Sequence, residues 1–222
     1  MDRMVAVYTS KELSKATWAD FEKFFSQGNG WDHCQCMHFH RPGPLPKTQW
    51  LHSRVERAGR NRLEKRKLVE QGKSHGILVY AEGEPVGWCQ YGPGEELPRI
   101  DNSRNYRCNV RPNDRDLTAQ AASMALWRIT CFVVDKKYRK RGAATAALQG
   151  ALESIRKKGG GVVEAYPLID WKKLCRAEVR RRGRAPSFGN VSTHGTVSMF
   201  EKEGFKIIGP YGPTNVVMRR MI

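Results

Sequence analysis

The stretch VVDKKYRKRGAATAAL, residues 133–148, joins a run of β-branched residues to a run of small helix formers. Val133 and Val134 close a strand-like segment, LWRITCFVV, that begins at Leu126. After Gly142, small or apolar side chains fall at 144, 147, 148, 151, 152 and 155, the i, i+3, i+4 stripe of a helix packed on a sheet. The junction therefore predicts a strand, a tight turn and a helix. A helix N-terminus leaves its first N–H groups unpaired and carries about half a positive charge. Gly142, Ala143 and Ala144 have no bulk to hold an anion away from those groups, and Arg139, Lys140 and Arg141 add side-chain charge at the same place. An anion site and a tight, surface-charged turn both fit this hexapeptide taken alone. No Lys-Ser/Thr follows Gly142 as in a Walker loop, and no G-x-G-x-x-G is present.

Reading outward, GVVEAY (161–166) is strand-like, so the helix links two strands as a βαβ unit. Upstream, HGILVYAEGEPVGWCQYGPG (75–94) reads as a hairpin turned at EGEP. Downstream, VSTHGTVSMFEKEGF (191–205) predicts a short helix ending at Gly204, a suitable C′ residue, and FKIIGPYGPTNVVMRRMI (205–222) a closing hairpin. Residues 11–26 carry Leu13, Trp18, Phe21, Phe24 and Phe25 at near-helical spacing, and a charged helix is expected over about 47–71. Residues 95–122 read as a long polar loop. The expected fold is α/β, a single domain over 1–222 with a mixed, mostly antiparallel sheet, one parallel βαβ unit and helices on both faces. Within it, 1–74 supply N-terminal helices and a loop, and 75–222 the sheet core.

The chain has 222 residues, 40% of them hydrophobic and 27% charged, an ordinary globular balance. No apolar run approaches the roughly 18 residues of a membrane span, and the first residues lack a secretory apolar region, so a soluble cytoplasmic protein, monomer or homodimer, is expected. Six cysteines (34, 36, 89, 108, 131 and 175) read as reduced thiols. The net charge of +17 favours anionic partners, and basic residues cluster in KKLCRAEVRRRGR (172–184).

With this context on either side, VVDKKYRKRGAATAAL resembles the pyrophosphate-binding segment of the GCN5-related N-acetyltransferase (GNAT) superfamily. Its core, R/Q-x-x-G-x-G/A, stands here as Arg139-Lys140-Arg141-Gly142-Ala143-Ala144, and SMFEKEGF (198–205) is similar to the family's F-Y-E-K-x-G-F. The resemblance implies transfer of an acetyl group from acetyl-CoA to a primary amine by direct attack. It implies backbone contacts of Phe132, Val133 and Val134 with the pantetheine arm, along a strand that splays from its neighbour, and pyrophosphate contacts from Arg139 through Thr145. The protein then positions both partners, accepts a proton and steadies the oxyanion with a strand N–H.

Two positions depart from the family pattern. Arg128 stands where many members carry a carboxylate base, and Phe200 where many carry a Tyr acid. Glu164, Tyr166 and His194 are candidate catalytic replacements, with Asp170 of similar standing. The segment GWDHCQCMHFHRPG (30–43) offers Cys34, Cys36, His38 and His40 at alternate positions. An extended chain would spread these over about 20 Å, too far for one zinc ion, so no metal is expected. The resemblance gives this segment another part, as a wall of the acceptor pocket built from Trp31, Cys36, Met37, His38, Phe39 and His40. The expected partner is a small-molecule amine, a metabolite or an antibiotic. The alternatives are a macromolecular acceptor, a protein lysine or an aminoacyl-tRNA docked on the basic 172–184 stretch, and a non-catalytic CoA-binding domain; no membrane partner is expected.

Overall fold

The computed structural model describes residues 7–28, 30–43, 53–110, 124–169 and 193–222, and between the last two only 172, 175, 176, 179, 180 and 183. In chain order the elements are Thr9–Glu12 (β1), Trp18–Ser26 (α1), Arg54–Glu70 (α2), His75–Ala81 (β2), Glu84–Pro93 (β3) and Arg104–Asn109 (α3). Then come Leu126–Val134 (β4), Ala143–Lys157 (α4), Val162–Ala165 (β5), Val197–Lys202 (α5), Lys206–Pro210 (β6) and Val216–Met221 (β7). Seven strands form one sheet in the order β1-β2-β3-β4-β5-β7-β6. Every pairing is antiparallel except β4 with β5, which α4 connects.

Side-chain alternation along β2 explains why both faces of the sheet are covered. Ile77 and Val79 pack under α4, against Ala147, Leu148, Ala151 and Leu152. Leu78 and Tyr80 point the other way, into Trp18, Phe21, Phe24 and Phe25 of α1. The three phenylalanines are fully buried, each contributing about 1.5–3 kcal/mol of transfer free energy. Trp88 fills the same layer edge-on to Phe21, with ring centroids 4.9 Å apart. Its ring lies so close to Gly76 that a Cβ there would come within 2.0 Å of it.

Several boundaries differ from the sequence expectation. Residues 11 and 12 belong to β1, because they pair with Leu78 and Ile77 at the sheet edge. The charged helix starts at Arg54, where the Ser53 side chain and Glu56 form a capping box; residues 44–52 lie outside the described residues. The expected loop after residue 95 contains α3, and 111–123 again lie outside. At Gly204 the chain closes α5 as expected, with Phe205 N–H on Phe200 C=O and Gly204 N–H on Glu201 C=O. Among the described residues no helix is long and apolar enough to cross a membrane.

Register places three charges in a row across the sheet: Arg128 on β4 opposite Glu164 on β5, and Glu164 opposite Arg219 on β7. Glu164 is fully buried and accepts hydrogen bonds from Tyr106 (2.9 and 3.0 Å), Tyr166 (2.8 Å) and Arg219 Nε (2.6 Å). Arg128 donates twice to Asp101, both at 2.7 Å, and once each to the carbonyls of Gly94 and Leu97. This guanidinium ties the Gly94–Asp101 connection to the central strand. Replacing it with an apolar chain takes the main donor from the half-buried Asp101 carboxylate and from two carbonyls, so Arg128→Met is expected to lower unfolding free energy by about 3–5 kcal/mol in urea titrations. A loss under about 1 kcal/mol would contradict the role given to this side chain.

Candidate active site

Pairing between β4 and β5 runs from Leu126/Val162 to Ile129/Ala165 and stops there, although β4 continues to Val134. A bulge opposite Gln90 and Tyr91 coincides with the parting. The backbone groups of β4 beyond Ile129 need other partners. The segment Thr193–Thr196 supplies them. Thr193 C=O accepts from Phe132 N–H at 2.5 Å, and His194 Nδ1 bonds Thr130 C=O at 2.8 Å. On the other side, Gly195 C=O accepts from Leu168 N–H at 3.3 Å, and Thr196 bridges Leu168. This short strap fills the gap between the diverging strands.

A cavity of about 520 Å³ opens on one side of β4, walled by Phe132, Val134, Met199 and the start of α4. Gly142 is the N-cap at φ +95°, with no side chain capping the helix, so the first-turn N–H groups of Ala143, Ala144 and Thr145 stand at the cavity without a side-chain acceptor. Arg139 and Lys140 line it, and among the described residues no acidic one does. Arg139 Nε also holds Val134 C=O at 3.2 Å. These groups fit a pyrophosphate on an apolar pantetheine track. Two predicted residues stand apart: Val133 points to the opposite face, and Arg141 contributes its carbonyl to the Tyr8 hydroxyl at 3.1 Å.

A second cavity, about 330 Å³, gathers Trp31, Cys36, His38 and Phe39 from the 30–43 loop with Cys131 and Val133 of β4. Thr193 and His194 line this cavity, whereas Gly195 and Thr196 line the other, so the strap is their common wall. Because Thr130 C=O can only accept, His194 Nδ1 carries the proton and Nε2 is left as the basic nitrogen. Burial lowers the His194 pKa from its ordinary value, with the Thr130 bond acting against it. Its ring stands edge-on to Phe39 at 5.7 Å.

The remaining loop residues divide between two networks. Trp88 Nε1 donates to Cys36 Sγ at 3.1 Å, and the Cys36 and Cys131 sulfurs are 3.4 Å apart. Burial opposes ionisation of Cys36, but the Cys131 thiol, the Lys65 ammonium and the Trp88 indole outweigh it and lower its pKa. Lys65 is fully buried, and burial brings it down to about 8. His40 donates from Nδ1 to Glu96 C=O at 3.0 Å and accepts at Nε2 from Gln90 (2.9 Å) and Lys65 (3.2 Å). All six cysteines are free thiols, and among the described residues no three His, Cys, Asp or Glu side chains converge as a metal site.

Glu164 and Tyr166 line neither cavity. They sit together in the buried row with Tyr106 and Arg219, because the β4–β5–β7 register turns them toward those partners. Phe200, where the family pattern has a Tyr, packs in the core against Phe132 and Phe205. Asp170 lies outside the described residues, as does most of 172–184. Sequence reasoning missed Gln90, Lys65 and the cationic residues of α2 that line the second cavity. A helical spacing of 57, 60, 61 and 65 was the one signal that could have joined the α2 residues.

No curated protein matches the chain. Among solved structures it is similar to a PaiA N-acetyltransferase from Thermoplasma acidophilum in complex with coenzyme A, at 12% identity over 97% of this chain and 99% of that one, with a TM-score of 0.49. It is similar also to an acetyltransferase of the GNAT family from Streptococcus pneumoniae (13%, 97% and 99%, TM-score 0.47). An aminoglycoside N-acetyltransferase in complex with CoA aligns over 72% of this chain and 76% of that one, at 11% identity and a TM-score of 0.37. The model of the acetyltransferase (GNAT) family matches residues 11–168. On that match this chain belongs to the GNAT family of acetyltransferases, enzymes that draw their acetyl group from acetyl-CoA.

Proposed function

We propose that this enzyme acetylates the primary amine of a small molecule held in the Trp31–His194 cavity, by direct attack, with His194 Nε2 receiving the proton. The observation that carries this reading is the strap: its first two residues face one cavity and its next two the other, so a donor and an acceptor would meet across it. Acetyl-CoA supplies the activated thioester. The N-terminus of α4 with Arg139 and Lys140 holds its pyrophosphate, and Phe132 and Val134 flank its pantetheine arm. Pairing of that arm with the Phe132 N–H displaces the Thr193 carbonyl now bonded there.

His194 suits the proton-accepting role on two counts. Its tautomer is set by Thr130 C=O, and burial keeps it neutral near pH 7. Arg128 and Phe200, at the positions where many members place their acid and base, are both buried in the interior and are left out of this mechanism. A cavity of about 330 Å³ is the size of a small-molecule site.

Gly142→Glu sets a carboxylate against the pyrophosphate position and is expected to abolish CoA binding by calorimetry; retained affinity would overturn the donor-site assignment. His194→Gln is expected to lower kcat by about 10²–10⁴-fold while CoA binding persists. A histidine with a lowered pKa is neutral above that value and loses its basic form as pH falls through it. The acid limb of kcat for the unmodified enzyme should therefore lie below about 6.5 and disappear in His194→Gln. An unchanged pH profile in the variant would remove His194 from the mechanism.

A further inference from the structure

Among the described residues the charged groups that line the acceptor-side cavity are all cationic: Arg41, Arg57 and Arg60, with no carboxylate among them. Arg57, Arg60 and Asn61 come from one face of α2 at i, i+3 and i+4, and Arg41 from the end of the 30–43 loop. Arg41 is held by Asn61 Oδ1 at 2.6 Å and by Glu64, and Glu64 also stands 3.9 Å from Arg60. Arg54, at the rim, is paired with Asp32. Arg57 is different: its Nε is buried and makes no hydrogen bond among the described residues, and no carboxylate there pairs with it. His33, beside it, has a buried Nδ1 in the same condition. The field of these cations reaches the neighbouring imidazole. Burial first, then Arg54 and Arg57, lower the His33 pKa.

Arg57, a half-buried, fork-shaped cation whose Nε has no hydrogen-bond partner among the described residues, is the complement of a planar or tetrahedral oxyanion. The rest of the cavity is apolar and aromatic, from Trp31, Phe39 and Val133. Building on the acetyl-transfer reading above, we infer that the acceptor is an amphipathic amine whose other end carries a carboxylate or phosphate, bound by Arg57 and Arg60. The same cations disfavour an ammonium in the cavity, which repels polycationic amines and promotes loss of the proton from the reacting one. This supplies part of what a carboxylate base gives in other arrangements.

The test uses the full chain saturated with CoA and four matched probes: para-(aminomethyl)benzoate, its carboxamide, para-(aminomethyl)phenyl phosphate and para-xylylenediamine. Calorimetry should show the benzoate or the phosphate bound at least about tenfold more tightly than the carboxamide, and the diamine weakest. The two anionic arms tell carboxylate from phosphate. Arg57→Met should erase most of that preference and Arg57→Lys retain part of it. The carboxamide or the diamine binding as tightly as the anions, no detectable binding of either anion, or a preference untouched by Arg57→Met would each overturn the inference. Thiol release from acetyl-CoA is measured in parallel. Anion-selective binding without turnover leaves the anion site standing and removes the transfer reading, whereas turnover of the carboxamide or the diamine in preference to the anions does the reverse.

Discussion

Two parallel strands that part company leave backbone donors and acceptors without neighbours, and this enzyme is organised around that gap. β4 and β5 share hydrogen bonds only as far as Ile129 and Ala165. Beyond that point Thr130 and Phe132 find their partners in Thr193 and His194, while Leu168 finds Gly195. An unmet backbone group in an apolar interior costs about 1–3 kcal/mol, so the strap is held there by several such demands at once. The neighbouring walls are anchored to the same strands: α4 by the turn that ends β4, the 30–43 loop by the bonds of Cys36 with Gln90 and Trp88.

The sheet separates charge for structure from charge for ligand. Arg128, Glu164 and Arg219 neutralise one another across three strands, with Asp101 and two tyrosines completing the set. Glu164, with Tyr106 and Arg219 bonded to it inside the sheet, lines neither cavity. Gln90 does the opposite. Fully buried, it donates to Cys36 C=O and His40 and accepts from the Thr130 hydroxyl, so it links the loop of one cavity to the strand that borders both.

Elements governed by a single local pattern were legible in the sequence. The stripe of α4, the hairpin of β2 and β3, the turn at Gly142 and the close of α5 at Gly204 all follow from spacing and residue type. β1 was not, because its four residues are exposed and carry no alternation of burial. The short α3 was hidden in a polar stretch with one buried side chain, Tyr106. Of the first cavity, the residues from Phe132 to Thr145 lie in one continuous segment that the sequence also singled out, joined by Gly195, Thr196 and Met199 from further along the chain. The second cavity is assembled from segments up to about 160 positions apart, and such convergence is a property of the folded chain. Glu164 illustrates the limit: a carboxylate in VVEAY is a plausible base until register sets Arg128 and Arg219 on either side of it.

Along β4 consecutive side chains serve different masters. Cys131 and Val133 border the cavity of Trp31 and His194, Phe132 and Val134 the cavity at the start of α4, so the two-residue pleat of a single strand sorts its side chains between the two. Odd and even positions are thereby independent addresses. Substitutions at 131 and 133 act on the cavity lined by Trp31 and His194, and substitutions at 132 and 134 on the cavity at the start of α4. Deleting or inserting one residue in this stretch would exchange the two sets, turning each pair of side chains toward the other cavity.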